Sequence, residues 1–234
     1  MQEFVKTIVE LKNVSKEFGS NGNIQKAVDN VSFTVNKGEF VVLLGQSGAG
    51  KSTVLNMIGG LDFATSGNII VDGTDISKMS EKDITLYRAD KVGFIFQFYN
   101  LIPSLTALEN VSLIKSIVKD CDNPSKMLEL VGLGKHEKKF PSQLSGGEQQ
   151  RVSIARALCK KPDIILGDEP TGALDSETGM AVIALLQKLC REEKKTVIIV
   201  THNVDYSAYA DKIIKMCDGK IVECIENNNV KNID

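Results

Sequence analysis

We expect this 234-residue chain to fold as an α/β protein, in which a mostly parallel β-sheet is wound with helices and carries an inserted α-helical lobe. Two observations predict this fold class. Short apolar runs, typical of buried strands, alternate with helical patterns in the first and last parts of the chain. Between them, residues 98–160 have helical spacing and no β-rich run, so we expect this stretch to form the lobe.

The elements of the core follow from local patterns. Residues 40–44 are an apolar run rich in Val and Leu that leads directly into a glycine loop, which is typical of a buried strand. Residues 52–58 then have helical spacing, and the pair Gly59 and Gly60 ends this helix. We predict further strands at 68–71, 92–96, 163–167 and 196–200, and further helices at 107–118, 125–131, 146–160 and 176–193.

These patterns divide a single domain into a core and a lobe. We assign residues 1–97 and 161–226 to the catalytic core and residues 98–160 to the helical lobe. Residues 227–234 are polar, and we expect them to form a loose tail.

Composition excludes several classes of function. A net charge of −2 provides no general attraction for nucleic acid or anionic lipid, so we expect no nucleic-acid partner. Apolar stretches such as 196–200 are far too short to cross a bilayer. The N-terminus mixes charged and apolar residues and does not resemble a secretion signal. If the protein works at a membrane, another protein must hold it there.

The five cysteines are scattered singly: Cys121, Cys159, Cys190, Cys217 and Cys224. Because they form no CxxC pair or Cys/His cluster, we expect no zinc site and no metal other than the one discussed below. An odd, dispersed set predicts reduced thiols in the cytoplasm.

A phosphate-binding pattern, G-x-x-x-x-G-K-[ST], follows the strand predicted at 40–44. Glycines in such a loop let backbone N–H groups point at a phosphate, and the next helix adds its positive end. The lysine would reach the β- and γ-phosphates, and the serine hydroxyl would bind Mg²⁺. The residues concerned are Gly45, Gln46, Ser47, Gly48, Ala49, Gly50, Lys51 and Ser52, with Thr53 in support.

Two carboxylates, Asp168 and Glu169, end the apolar strand predicted at 163–167. Neighbouring strand residues point in opposite directions, so these acids cannot do the same work. Asp168 suits the Mg²⁺ shell, either directly or through water. Glu169 suits positioning and deprotonating an attacking water molecule.

The pentapeptide Leu144-Ser145-Gly146-Gly147-Glu148 opens the helix predicted at 146–160. Backbone N–H groups at a helix N-terminus, together with a serine hydroxyl, form an anion site. One chain already has a complete phosphate loop, so this second anion site is redundant within a monomer.

The order of these motifs, with Gln149-Gln150-Arg151 after the pentapeptide, resembles the nucleotide-binding domain of ABC transporters. The similarity extends from about residue 8 to about residue 222. It implies a P-loop NTPase fold with a RecA-like core, an N-terminal antiparallel β portion and the inserted helical lobe. It also implies an ATPase whose cofactors are ATP and Mg²⁺.

The resemblance also assigns roles by position. Gln97 matches the glutamine that closes a strand, contacts Mg²⁺ and reports to the membrane partner, and His202 matches the histidine that contacts the γ-phosphate. Alone, either residue would be an ordinary structural side chain. Phe18 matches the aromatic residue that stacks on adenine, where tyrosine is commoner, and a phenyl ring can stack as well. The other histidine, His136, lies among lysines and is expected to be solvated.

A second copy of the chain is implied as a partner. In the family, two ATP molecules are held head to tail between two domains, and hydrolysis loosens the dimer. Asp175 matches the loop that crosses this interface. The residues expected to reach the partner's ATP are Ser145, Gly146, Gly147, Glu148 and Asp175.

Residues 96–103 and 105–111 resemble the group that includes macrolide exporters, lipoprotein-release ATPases and antimicrobial-peptide efflux ATPases. In this group, the apolar surface after the glutamine receives a short helix of an integral membrane permease. The first hypothesis is therefore an exporter ATPase, peripheral on the inner face of the cell membrane. The second hypothesis is a regulatory ATPase that drives a membrane signalling or cell-division protein without transport. The third hypothesis is an ATPase unconnected with membranes.

Overall fold

The computed structural model describes residues 6–19, 24–118 and 120–233. A six-stranded sheet lies at its centre and a four-stranded antiparallel sheet lies beside it. In the described residues the strands are β1 (Thr7–Phe18), β2 (Gln25–Asn36), β3 (Phe40–Leu44), β4 (Ser66–Val71), β5 (Thr74–Asp75), β6 (Val92–Phe96), β7 (Ile164–Asp168), β8 (Thr196–Thr201), β9 (Lys212–Cys217) and β10 (Lys220–Glu226).

The central sheet has the order β10-β9-β3-β8-β7-β6. Its strands run parallel except for β10, which pairs with β9 in the antiparallel direction. Every residue of β3 and β8 is buried, because helices or the second sheet cover both faces. The mostly parallel sheet predicted from the sequence is confirmed. Its carboxyl edge gathers the residues that follow β3, β6, β7 and β8.

The second sheet has the order β2-β1-β4-β5, and its pairs are antiparallel. This confirms the antiparallel β portion. The register between β1 and β2 shifts at several points, and Asn13 and Asn30 adopt left-handed backbone conformations there. Asparagine tolerates that conformation better than most residues, which suits it to such irregular positions.

Six α-helices connect the described strands and build the lobe. The helix predicted at 107–118 ends at Ser112 and continues only as a 3₁₀ turn at Leu113–Ser116. No helix in the described part of the chain is both long enough and apolar enough to span a bilayer. The helices are α1 (Lys51–Ile58), α2 (Glu81–Lys91), α3 (Ala107–Ser112), α4 (Pro124–Leu130), α5 (Gly146–Leu158) and α6 (Ser176–Glu192).

Two apolar cores lie on the two faces of the central sheet. Val41 and Leu43 of β3 belong to the core shared with α1 and the antiparallel sheet. Phe40, Val42 and Leu44 belong to the core shared with α5, α6 and the lobe. The alternation follows from the strand period of two, and it holds the phosphate loop between two rigid layers.

The C-terminal segment is not a loose tail over its described residues, 227–233. Asn227 Nδ2 donates to Ala210 O at 2.9 Å, and Gln187 Nε2 donates to Lys231 O at 2.7 Å. The backbone N–H of Ile233 donates to Gln187 Oε1 at 3.1 Å, and its side chain packs on the apolar core. The polar composition gave no sign of these contacts, because they depend on distant partners, the carbonyl of Ala210 and the buried Gln187 of α6.

Candidate active site

A cleft of about 1020 Å³ opens at the carboxyl edge of the central sheet. Most of the residues predicted to bind nucleotide meet there, although they lie on β1, the loop after β3, α1 and the ends of β6, β7 and β8. The predicted residues that line the cleft are Phe18, Gln46, Ser47, Gly48, Ala49, Gly50, Lys51, Ser52, Thr53, Gln97, Asp168, Glu169 and His202. Gly45 lies at the start of the loop, packed against the backbone of Met216.

The phosphate loop depends on Gly50, the residue before α1. Its φ of 90° is in the left-handed region, and a Cβ there would overlap the carbonyl oxygen of Ala27. Lys51 begins the helix, and its Nζ donates to Gly45 O at 2.7 Å and to Gln46 O at 2.8 Å. The loop therefore wraps a buried ammonium group at the floor of the cleft.

Burial of Lys51 lowers the pKa of its ammonium group. The negative charges of Glu169 and Asp168 act against this shift. The cleft floor therefore combines one desolvated cation with two carboxylates, and a bound anion would favour the charged form of Lys51 further.

Ser52 and Asp168 are joined across the cleft floor. Ser52 Oγ donates to Asp168 Oδ1 at 2.7 Å. A hydroxyl and a carboxylate present oxygen donors, which are the ligands that Mg²⁺ prefers in proteins. The pair thus fits a cation whose remaining ligands are water molecules and phosphate oxygens of the substrate.

Glu169 points away from Asp168 and toward His202. Its Oε1 lies 2.9 Å from His202 Nδ1, and its backbone N–H donates to Val200 O at 3.0 Å. Glu169 directly follows β7 and has a φ of 47°, so a left-handed residue comes after the strand, and its side chain lines the cleft. The two acids therefore have different partners, and the left-handed conformation of Glu169, rather than strand alternation, accounts for this.

Gln97 and Phe18 also line the cleft. Gln97 follows β6 directly and packs on Gly172, where an added Cβ would lie 3.0 Å from Gln97 Nε2. Phe18 ends β1 and is 45% exposed. Lys16 Nζ lies 4.8 Å from the centre of its ring, a cation–π distance, and donates to Asp62 Oδ1 at 2.6 Å.

Sequence reasoning missed part of the cleft wall. Lys26 lies near the start of β2, and Asp218 and Gly219 form the turn between β9 and β10, yet all three line the cleft. Lys26 Nζ donates to Asp29 Oδ1 at 2.8 Å. No local motif could have identified these residues, because only the packing of the two sheets brings them to the phosphate loop.

The pentapeptide lies outside this cleft. Ser145 precedes α5, and its Oγ accepts a hydrogen bond from Glu148 N, while Glu148 Oε2 accepts from Ser145 N at 2.7 Å. Asp175 precedes α6 in the same way and accepts from Thr178 N at 2.9 Å. In the described part of the chain, the cleft is not lined by any of the residues expected to reach the partner's ATP, which are Ser145, Gly146, Gly147, Glu148 and Asp175.

His136 is not simply solvated, as its lysine-rich surroundings suggested. Its Nδ1 lies 3.0 Å from Glu148 Oε1, and the side chain is largely covered. The 3₁₀ turn at Gly134–His136 brings it back to the start of α5. Although His136 lies 12 positions before Glu148 in the sequence, the fold places it next to the pentapeptide.

The fold and the cleft together define a nucleoside-triphosphate-binding protein of the P-loop type. The family model described as ABC transporter matches residues 28–172. The chain belongs to this family and is an ATPase.

Similar proteins come from bacteria and archaea. The chain is 44% identical to the ABC transporter ATP-binding protein MJ0796 of Methanocaldococcus jannaschii, over 92% of this chain and 95% of that protein. It is 44% identical to the macrolide export ATP-binding/permease protein MacB of Mannheimia succiniciproducens, over 96% of this chain but 36% of that protein. A solved dimer of MJ0796 bound to ADP and Pi matches with a TM-score of 0.85 and 40% identity, covering 97% of this chain and 100% of that one.

Proposed function

We propose that the chain is the ATP-binding and hydrolysing subunit of a membrane exporter. The cargo would be a hydrophobic or amphipathic compound, a lipoprotein or a peptide. Similarity to the macrolide export protein MacB supports this direction of transport. The chain spans 36% of the length of MacB. The membrane-spanning permease is proposed as a separate subunit. The ATPase itself would sit on the cytoplasmic face of the membrane.

The proposed roles in the cleft follow from the chemistry of each side chain. Lys51 holds the β- and γ-phosphates, and the loop N–H groups and Thr53 support it. Glu169 positions and deprotonates the attacking water, for which its contact with His202 provides a fixed orientation. His202 contacts the γ-phosphate. Phe18 stacks on adenine with the exposed part of its ring.

Ser52, Asp168 and Gln97 would hold Mg²⁺. Their hydroxyl, carboxylate and amide oxygens suit this cation, and Ser52 and Asp168 are already 2.7 Å apart. When bound, Mg²⁺ would neutralise charge on the β- and γ-phosphates. Gln97 would also link this shell to the surface that meets the permease.

A homodimer with two ATP molecules at its interface is the second part of the proposal. The observation that carries it is the separation of two half-sites in one chain. The cleft holds the phosphate loop, while the starts of α5 and α6, with Ser145 and Asp175, lie outside it. A head-to-tail copy would bring these helix N-termini to the γ-phosphate of its partner. Similarity to MJ0796, whose solved structure is a dimer bound to ADP and Pi, supports dimerisation.

The permease would dock on the lobe near Gln97. Phe98 and Ile102, which follow Gln97 in the sequence, are exposed, and apolar side chains of this kind suit a short helix of a partner. Recovery of an integral protein of several spans with the tagged chain, from detergent extract, supports a transport or signalling role. Recovery of none would favour an ATPase unconnected with membranes. Substrate flux in vesicles that contain both subunits separates transport from signalling.

The Glu169→Gln variant tests the ATPase and the dimer together. Loss of a general base lowers kcat by about 10²- to 10⁴-fold, while the amide keeps the shape of the side chain. ATP and Mg²⁺ should then accumulate a dimer that is resolved by size-exclusion chromatography with light scattering. A variant that stays monomeric at saturating ATP would contradict the dimer proposal.

A further inference from the structure

Gln150 is a buried polar residue of α5 that no part of the proposed mechanism uses. Its side chain is 0% exposed. Its Nε2 donates to Pro170 O at 2.7 Å and to Phe96 O at 3.2 Å. In the described residues its Oε1 has no hydrogen-bond partner. The amide group is therefore held by its two donated bonds.

Both acceptors are next to a proposed active-site residue. Phe96 directly precedes Gln97, and Pro170 directly follows Glu169. One side-chain nitrogen thus links the backbone of the Mg²⁺-binding loop to the backbone of the general base. It also ties both to the helix that begins with the pentapeptide.

Arg156, farther along α5, holds the same loop at its other end. Its guanidinium group donates to Asn100 O at 2.7 Å and to Tyr99 O at 3.0 Å. Burial lowers the pKa of Arg156, since the charged form is costly away from water. The segment 97–100 is therefore fastened to α5 on both sides of its exposed residue Phe98.

We propose that Gln150 is a positioning residue that couples α5 to Gln97 and Glu169. A movement of α5, started by the pentapeptide at the dimer interface or by the lobe at the permease, reaches both residues through the hydrogen bonds of Gln150. The inference rests on the proposed roles of Gln97 and Glu169. It extends them, because it assigns the contact by which the lobe aligns the general base with the cation site.

The hydrogen bonds of Gln150 keep the chain segments after β6 and β7 aligned. Without Nε2, two backbone carbonyls lose their partner, and the chain segments after β6 and β7 are free to shift against each other. A displacement of about 1 Å can lower the rate of a chemical step by about 100-fold. Binding of ATP should change little, because Gln150 donates to Phe96 O and Pro170 O, whereas Lys51 donates to carbonyl oxygens of the phosphate loop.

A second buried glutamine provides a matched control. Gln187 of α6 is 4% exposed, and its Nε2 donates to two backbone carbonyls, those of Tyr209 at 3.0 Å and Lys231 at 2.7 Å. These acceptors lie outside the cleft. Methionine has a similar shape and no N–H donor, so each of Gln150→Met and Gln187→Met removes two donated hydrogen bonds. Gln187→Met also removes the bond that Gln187 Oε1 accepts from the N–H of Ile233 at 3.1 Å, which makes it the more demanding control for stability.

The test compares both variants with the wild-type chain in stability, ATP binding and ATPase turnover. We expect Gln150→Met to lower kcat by about 10- to 100-fold, with the Kd for ATP changed less than about twofold. Gln187→Met should keep the wild-type kcat even if its free energy of unfolding falls as much as that of Gln150→Met. The inference is overturned if Gln150→Met keeps its kcat, or if Gln187→Met loses kcat to the same extent.

Two further variants keep the outcome decisive. If Gln150→Met does not fold, Arg156→Lys loosens the other fastening of segment 97–100 and should lower kcat without changing the Kd for ATP. An unchanged kcat in that variant overturns the inference as well. Glu169→Gln serves as the reference: if it still hydrolyses ATP normally, the proposed function has failed rather than the role of Gln150.

Discussion

Replacing Gly147 by alanine should loosen the contact between the starts of α5 and α6, and Thr178→Ser should restore it. Gly147 is buried in the first turn of α5. A Cβ at this position would overlap the Cγ2 methyl of Thr178. The Thr178 hydroxyl donates to Asp175 Oδ2 at 2.7 Å, so serine removes the methyl group and keeps the bond.

The magnitude follows from two opposing effects. Alanine stabilises a helix by roughly 0.5–1 kcal/mol over glycine, whereas an inserted methyl group in a filled space costs about 1–3 kcal/mol. The net destabilisation of Gly147→Ala therefore lies between about 0 and 2.5 kcal/mol, with a central value of about 1 kcal/mol. In a chain of this size, each kcal/mol lowers Tm by about 2–4 °C.

Urea unfolding of the nucleotide-free chain measures both variants and their combination. Gly147→Ala alone should be destabilised, and Thr178→Ser alone should change by less than about 1 kcal/mol. The double variant should return at least to wild-type stability, which gives a coupling energy within the usual range of about 0.5–3 kcal/mol for residues in contact. Additive effects, or a stable Gly147→Ala variant, would refute the proposed packing of Gly147 against Thr178.

Two further predictions concern single side chains. The backbone hydrogen bond from Ser145 holds the pKa of Glu148 below its ordinary value near 4.5, so its stabilisation is present above that pH and is lost as the pH falls through the lowered pKa. Glu148→Gln should accordingly lose less stability than wild type between about pH 5 and pH 3 in urea unfolding, and parallel curves would contradict this. Phe18→Leu should raise the Kd for ATP by about 5- to 150-fold, since base stacking contributes about 1–3 kcal/mol. The Kd for inorganic tripolyphosphate, which has no base, should not change. An equal increase in both Kd values would exclude stacking.

Local chemistry explains which parts of the fold could be predicted. The strands predicted at 40–44 and 92–96 have the same bounds as β3 and β6, because strands covered on both faces appear as continuous apolar runs. No strand bounds were predicted for β1 and β2. Asn13 breaks the regular conformation of β1, whereas residues 31–35 of β2 alternate buried apolar with exposed polar side chains, a strand signal that was present in the sequence.

Contacts between distant segments could not be predicted in this way. Lys26 and Asp218 line the cleft only because the two sheets meet beside the phosphate loop. His136 reaches Glu148 through a 3₁₀ turn, and Gln150 lies in a motif without any sign of its partners after β6 and β7. Motifs therefore indicated the chemistry, whereas the positions of the supporting side chains required the tertiary structure.

Mixed dimers test most directly whether each protomer completes the other's ATP site. Two dimers are assembled from differently tagged chains, and both contain one Glu169→Gln and one Ser145→Arg substitution. In one dimer the two substitutions share a chain; in the other they lie on opposite chains. If Ser145 acts on the partner's ATP, substitutions in one chain disable both sites, and ATPase activity is lost. When the substitutions lie on opposite chains, both act on the same ATP site and the other site stays intact. The ATPase activity then equals that of a dimer in which Glu169→Gln is the only substitution. The reverse pattern would contradict the account.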